Sequence, residues 1–288
     1  MSRIPPPLAY PHPGPPPELP ELPDGVSPQP RWPAWTAPVA LIAGFSGALF
    51  GAIVIGIVAS ATGSSIEHPP PAAQITATAF QDMALIGSAL VFARLSGRPR
   101  PWQFGLRPTR FWPALGWTAL TWFGFLLFSA VWVSALAIKE RDRLPDELGA
   151  SSSSVALISV AVLVCVLAPV AEEFFFRGFF FNALRAWKGP LLAAILTGLV
   201  FGGIHAGSAP APFLVPLAMF GFGLCLLYWR TGSLYPCIVL HSLNNSLAFG
   251  VSQHWGWQIP VLMLGANALI AAVILPLGGV RRGQPAPA

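Results

Sequence analysis

Residues 153–186 read SSVALISVAVLVCVLAPVAEEFFFRGFFFNALRA. At ~1.5 Å per residue a helix of this length exceeds the ~30 Å hydrocarbon core of a bilayer. The stretch is apolar apart from three Ser near its start and Glu172, Glu173, Arg177, Asn182 and Arg185. Such a run reads as a long transmembrane helix with ionisable groups buried inside it. Seven further apolar segments lie around it, at about 38–60, 74–95, 111–137, 190–208, 212–229, 233–251 and 258–279. Each is close to the roughly 20 residues a spanning helix needs. Lipid offers no partner for backbone N–H and C=O, so the spans must be helical. The expected fold is all-α, a polytopic membrane helix bundle with about eight transmembrane helices.

Composition agrees. The 288 residues are 54% apolar and 9% charged, with a mean hydropathy of +0.64, against about 25% charged in an ordinary globular domain. These values exclude a soluble globular enzyme, a fully disordered chain, a coiled coil and a disulfide-rich secreted scaffold. Cys165, Cys225 and Cys237 lie in apolar runs without metal-type spacing and read as small core residues. No internal repeat is visible. The net charge is +5, with fourteen Arg and two Lys. In a membrane chain this reflects loop charges that set orientation, not nucleic acid binding.

If the N-terminus is cytoplasmic and all eight segments span, inside pieces carry 13 of the 16 basic residues. Lys139, Arg141 and Arg143 stay outside, interleaved with Glu140, Asp142, Asp146 and Glu147. This distribution obeys the positive-inside rule and places both termini in the cytoplasm. The first 38 residues hold 14 of the 32 Pro. Proline fixes φ and lacks an N–H, so residues 1–36 are expected to be a disordered cytoplasmic tail. Residues 37–280 form the membrane domain, and 281–288 a short basic, Pro-containing C-terminal tail.

Most acids and two of the five His fall in the tail or loops, and His254 falls in the last outer loop. Only Asp82, Glu172, Glu173, His205 and His241 are acids or histidines within spans. Ionisable groups at membrane depth cost at least ~2.5–3.5 kcal/mol on insertion scales, so each is a functional candidate. Glu173 and Arg177 are i,i+4 and can pair. Glu172 sits about 100° round the helix and is free for another neighbour. Trp187-Lys188-Gly189-Pro190 is a helix stop followed by a helix start. Glu172 lies 16 residues before Lys188 and His205 lies 17 after it, so an antiparallel pair brings them to one depth. His241 and Asn245 share a face. His241 follows the Arg230-Thr231-Gly232 turn by only about ten residues, which in straight helices leaves it roughly 10 Å shallower than His205.

One carboxylate and two imidazoles in a dry cleft can position and deprotonate a water. Glutamate is the natural general base. Imidazole and the Asn amide can donate to a developing oxyanion. Glu172, His205 and His241 also have the ligand types of a two-His-one-carboxylate zinc site. Zinc or another divalent metal and a metal-free mechanism fit the residues equally, and amide hydrolysis fits both. A plain structural reading, polar side chains gluing helices together, stands beside these.

The strings Glu172-Glu173-x-x-x-Arg177, Phe201-Gly-Gly-Ile-His205 and His241-Ser-Leu-Asn-Asn245 follow in order on separate spans. This set closely resembles the CPBP family of intramembrane proteases, which includes type II CAAX prenyl endopeptidases and bacteriocin-processing or immunity (Abi) proteins. The resemblance covers about 155–250, with a weaker echo at Phe104-Gly-Leu-Arg107. It implies an endopeptidase acting on a peptide or membrane-protein segment. Glu172 would activate water, His205 would help hold it, and His241 and Asn245 would stabilise the oxyanion. Glu173 and Arg177 would be the supporting pair. Prenylated substrates do not follow from the family name, because a Pro-, Ala- and Arg-rich chain looks bacterial, from the cytoplasmic (inner) membrane. The alternative is a non-enzymatic immunity or scaffold protein with the same fold. A small transporter using Glu172 and the His pair as a proton site comes third, since paired broken-helix halves are absent.

Three features count as decoys. Gly44-Phe45-Ser46-Gly47 matches a rhomboid serine string but reads as close helix packing. Asp82 reads as a satisfied interior residue, otherwise as an accessory proton or substrate group. The Phe174–Phe176 and Phe179–Phe181 runs read as lipid-facing or core bulk.

Overall fold

The structure, a computed structural model, describes residues 32–65, 69–140 and 143–278. Among these the chain is helical with no strand: α1 (Thr36–Ala61), α2 (Pro71–Arg94), a 3-10 turn (Pro101–Phe104), α3 (Phe111–Ala135), the single turn α4 (Leu144–Glu147), α5 (Ser154–Val162), α6 (Ala168–Glu173), α7 (Phe181–Ile204), α8 (Leu214–Thr231), α9 (Tyr235–Ser252) and α10 (Gln258–Ile274). Two π-helical turns, Leu163–Leu167 and Phe174–Phe180, join α5 to α6 and α6 to α7. Six units are long and apolar enough to cross a membrane, one of them the continuous run Ser154–Gly207. That run bends at Gly189 (φ 79°, ψ 169°), where Pro190 opens the second arm. Helix α9 is not among the six; it carries His241, Asn244 and Asn245 in its interior. The polytopic helical bundle expected from the sequence is the observed architecture. The expectations for residues 1–31, Glu67, His68, Arg141, Asp142 and 281–288 lie outside the described residues.

The stretch read as tail ends earlier than residue 36. Trp32 is buried, its ring 4.8 Å from Phe104 and 5.1 Å from Phe179. The large apolar surface of one indole outweighs the proline-rich context that suggested disorder. Phe175, Phe176, Phe179, Phe180 and Phe181 are likewise core, not lipid-facing. Exposed large side chains such as Ile42, Phe50, Phe123 and Leu127 are apolar, as a lipid-facing surface requires.

Small residues set the helix contacts. A Cβ on Gly51 would meet the Phe80 ring, and one on Gly44 would lie 3.0 Å from Leu85 and Ser88. The Gly44–Gly47 string is thus part of the α1–α2 packing. Between α7 and α8 the approach is tighter. A Cβ on Gly198 would lie 2.7 Å from the Ala218 carbonyl oxygen and 2.8 Å from the Phe222 nitrogen. Backbone atoms cannot swing aside as a side-chain tip can, so these helices pack only with glycine here.

A loop clamp fixes the start of α9. Arg107 Nε donates to Gly232 O (2.6 Å), Ser233 Oγ to Arg107 O (2.7 Å), and Leu234 N to Gly105 O (2.8 Å). The Phe104–Arg107 string is therefore bonded to the Thr231–Leu234 turn from which the His241 helix departs. Gly105 has φ +89°, and a Cβ there would strike the Tyr228 ring at 2.5 Å.

Replacing Gly198 by Ala should push α7 from α8 and cost about 1–3 kcal/mol, as overpacking does. Gly203, whose added Cβ meets nothing within 4 Å, is the control. Thermal unfolding of the two detergent-purified variants should show a clear drop for Gly198→Ala alone.

Candidate active site

The two π turns shape the helix that carries the glutamates. In each, a backbone N–H bonds five residues back: Ala168 N to Leu163 O, and Phe181 N to Phe176 O. Widening the turn takes i→i−4 bonds away from nearby carbonyls, and a buried carbonyl needs a replacement donor. Side chains supply it. Asn245 Nδ2 donates to Val164 O (2.9 Å) and Ser242 Oγ to Cys165 O (2.7 Å). At the second π turn Asn182 Nδ2 donates to Gly178 O (2.8 Å) and faces Tyr228 Oη at 2.8 Å. The distortions thus join α9 to the α5–α6 junction through named bonds.

Between the π turns, Glu173 and Arg177 form a fully buried ion pair, Nη1 to Oε1 at 2.8 Å. Arg177 also donates from Nη2 to Gly221 O (3.0 Å), and its guanidinium lies 4.5 Å from the Phe201 ring centre. The same Glu173 Oε1 accepts from His241 Nδ1 at 2.7 Å. A carboxylate cannot donate, so Nδ1 carries the proton and the neutral His241 ring presents Nε2 as an acceptor. Only a protonated ring offers Nε2–H as a donor.

Glu172 is not tied down in this way. Its Oε2 is buried without a hydrogen bond and sits 3.9 Å from His241 Nε2. That distance is too long for a direct bond. A water about 2.8 Å from both atoms closes the triangle at roughly a right angle. His205, at the end of α7, donates from Nδ1 to Phe201 O (2.7 Å), which makes its Nε2 an acceptor as well. The Phe201 ring contacts both histidines, with centroid distances of 4.9 Å to His205 and 5.9 Å to His241. The depth gap counted along straight helices is closed.

Glu172, His205, His241, Asn244 and Asn245 line one cleft of about 1600 Å³. Among the described residues its rim is built from Lys139, Glu140 and the 143–148 segment, the 207–213 segment and the end of α9 with His254. One amide hydrogen of Asn245 is engaged by Val164 O, and the second remains for other use. His205, His241 and Glu172 were the ligand set for a metal. Among the described residues no three His, Cys, Asp or Glu side chains gather closely enough to hold an ion. No step is therefore routed through a metal.

Several site features escaped sequence reading. The π turns have no sequence signature. The Glu173–His241 bond joins residues 68 apart. Asn182 is a lone polar residue with no motif around it. Asp82 and Gln81 of α2 also line the cleft; their shared segment was the available signal, but nothing placed it beside Glu172.

Residues 154–247, about a third of the chain, match the family described as type II CAAX prenyl endopeptidase Rce1-like. The matched stretch contains all three motifs, so the resemblance to CPBP proteases holds at the level of the family. A relative, the uncharacterized protein YyaK of Bacillus subtilis, is 29% identical over 127 residues, 42% of this chain and 42% of that protein. No solved structure matches the chain. The apolar helices make this an integral membrane protein, and its 154–247 segment is similar to a family of membrane proteases.

Removing the charge of Glu173 leaves Arg177 buried and unpaired, which typically costs about 3–5 kcal/mol. Glu173→Gln should therefore unfold at distinctly lower temperature than wild type in a detergent melt. Glu172→Gln, at a carboxylate with no hydrogen bond on Oε2, should melt with the wild type.

Proposed function

We propose that this protein is an intramembrane endopeptidase that hydrolyses a bond in a peptide or membrane-protein segment admitted to the cleft. The observation that carries the reading is the pair Glu172 Oε2 and His241 Nε2, 3.9 Å apart, the first unbonded and the second fixed through Glu173. A water held between them gives one proton to Glu172 as its oxygen attacks the scissile carbonyl carbon. His205 Nε2 is a second acceptor in the cleft, open to a substrate N–H, because Glu172 and His241 take both of the water's hydrogens. The oxyanion that forms is met by the free amide hydrogen of Asn245. Burial of the cleft strengthens each of these contacts. Glu173 and Arg177 keep His241 in its tautomer and place. The alternative of an immunity or scaffold protein gives no reason for Glu172 Oε2 and His241 Nε2 to stand 3.9 Å apart in one cleft.

The same reading includes eight crossings with both termini in the cytoplasm of a bacterial inner membrane. Arg94, Arg98, Arg100, Arg107, Arg185, Lys188 and Arg230 fall at the helix ends away from the cleft rim. By the positive-inside rule that end is cytoplasmic. The cleft then opens to the opposite face, and the substrate is a segment presented from outside the cytoplasm.

Two measurements test this. A library of internally quenched peptides incubated with purified wild type should yield cleaved members. Glu172→Gln should lose at least about 100-fold in kcat on those peptides, the scale of general-base catalysis. Undiminished cleavage by that variant would remove Glu172 from the chemistry. For sidedness, Ser208→Cys on the cleft rim should react in intact cells with a membrane-impermeant maleimide, while Ser96→Cys should not. The native thiols are buried, so the background is low. Labelling of Ser208→Cys only after lysis would invert the orientation.

A further inference from the structure

Of the two readings the sequence allows for Asp82, a satisfied interior residue or an accessory proton or substrate group, its surroundings favour the second. It sits midway along α2, is 2% exposed, and its Oδ2 is fully buried without a hydrogen-bond partner. It lines the same cleft as Glu172. Helix α2 packs against α6, which carries Glu172, and against both π turns. Arg177 is spent on Glu173 and Gly221 O. The basic groups that line the cleft, Lys139 and Arg143, belong to its rim. A buried carboxyl oxygen without a partner at membrane depth, in the same cleft as a second carboxylate, is an arrangement that favours holding one of the two protonated.

Resting on the hydrolytic reading above, we propose that Asp82 is the general acid of the site, a protonated carboxyl that supplies the leaving nitrogen. The attack of water leaves Glu172 protonated and a negative charge on the former carbonyl oxygen. The amide nitrogen cannot leave as an anion. Asp82 Oδ–H transfers its proton to that nitrogen, the C–N bond breaks, the oxyanion collapses to a carboxylic acid, and the amine departs. The Glu172 proton then returns to Asp82, directly or through a cleft water, restoring both groups. Water is consumed and no other reactant is needed. Two carboxyls in one cleft, one ionised as base and one protonated as acid, divide the labour that a lone glutamate would otherwise perform in succession.

Two experiments test the assignment. The infrared spectrum of the wild-type protein in detergent near neutral pH should contain a protonated-carboxyl C=O band, above the amide region, that Asp82→Asn removes. A variant spectrum unchanged in that region would overturn the proposal without reference to any substrate. On peptides cleaved by wild type, Asp82→Asn should lose about 100-fold or more in kcat, the scale of general-acid catalysis, with KM and melting temperature close to wild type. Asp82→Glu should recover part of the loss. Cleavage abolished by Glu172→Gln but untouched by Asp82→Asn would overturn the acid and leave the hydrolytic reading standing. A wild type that cleaves no peptide would overturn the hydrolytic reading on which the acid's task rests.

Discussion

A guanidinium with no access to water must be neutralised where it sits, and the core of this bundle is organised around meeting that demand for Arg177. The side chain is fully buried and reaches Glu173 on its own helix, the Gly221 carbonyl on α8 and the Phe201 ring on α7. Three helical segments are thereby held in one register. Buried ion pairs add little net stability, since desolvation offsets their attraction. What this pair provides is placement. Glu173, once fixed by Arg177, uses the same oxygen to accept from His241, and so orients the ring that faces Glu172.

The adjacent glutamates therefore have opposite fates. Each has one buried oxygen without a partner, but Glu173 is bonded twice through Oε1 and lies in the core, while Glu172, one residue earlier, opens on the cleft. A rotation of about 100° per residue is enough to separate the two environments. Chemistry at a protein site usually needs a reactive group beside groups that hold it still. Here neighbouring residues of one type supply both, and Asn245 and Ser242 repair the carbonyls that the first π turn exposes.

Much of this was legible in the sequence, for physical reasons that can be named. Hydrocarbon thickness and the lack of backbone partners in lipid make spanning helices readable from apolar runs. The i,i+4 spacing of Glu173 and Arg177 foretold their pair. The placement of Glu172 and His205 about equally far from Lys188 foretold one shared cleft. Other features left no trace. A π turn arises from a balance of packing and bonding that no residue type announces. The bond from Glu173 to His241 depends on the clamp between Arg107 and the Gly232 turn, a contact across 125 residues. Trp32 joined the core despite a proline-rich setting, because the gain from burying one indole is settled by its partners and not by its neighbours in sequence.

The chemistry turns on a water held between one oxygen, Glu172 Oε2, and one nitrogen, His241 Nε2, that do not bond each other. An experimental structure at a resolution that shows ordered solvent tests this most directly. The account predicts one ordered oxygen within hydrogen-bonding distance of both Glu172 Oε2 and His241 Nε2, with His241 Nδ1 still donating to Glu173. A His241 ring released from Glu173, or a Glu172 carboxylate bonded elsewhere with no solvent beside it, would contradict the account.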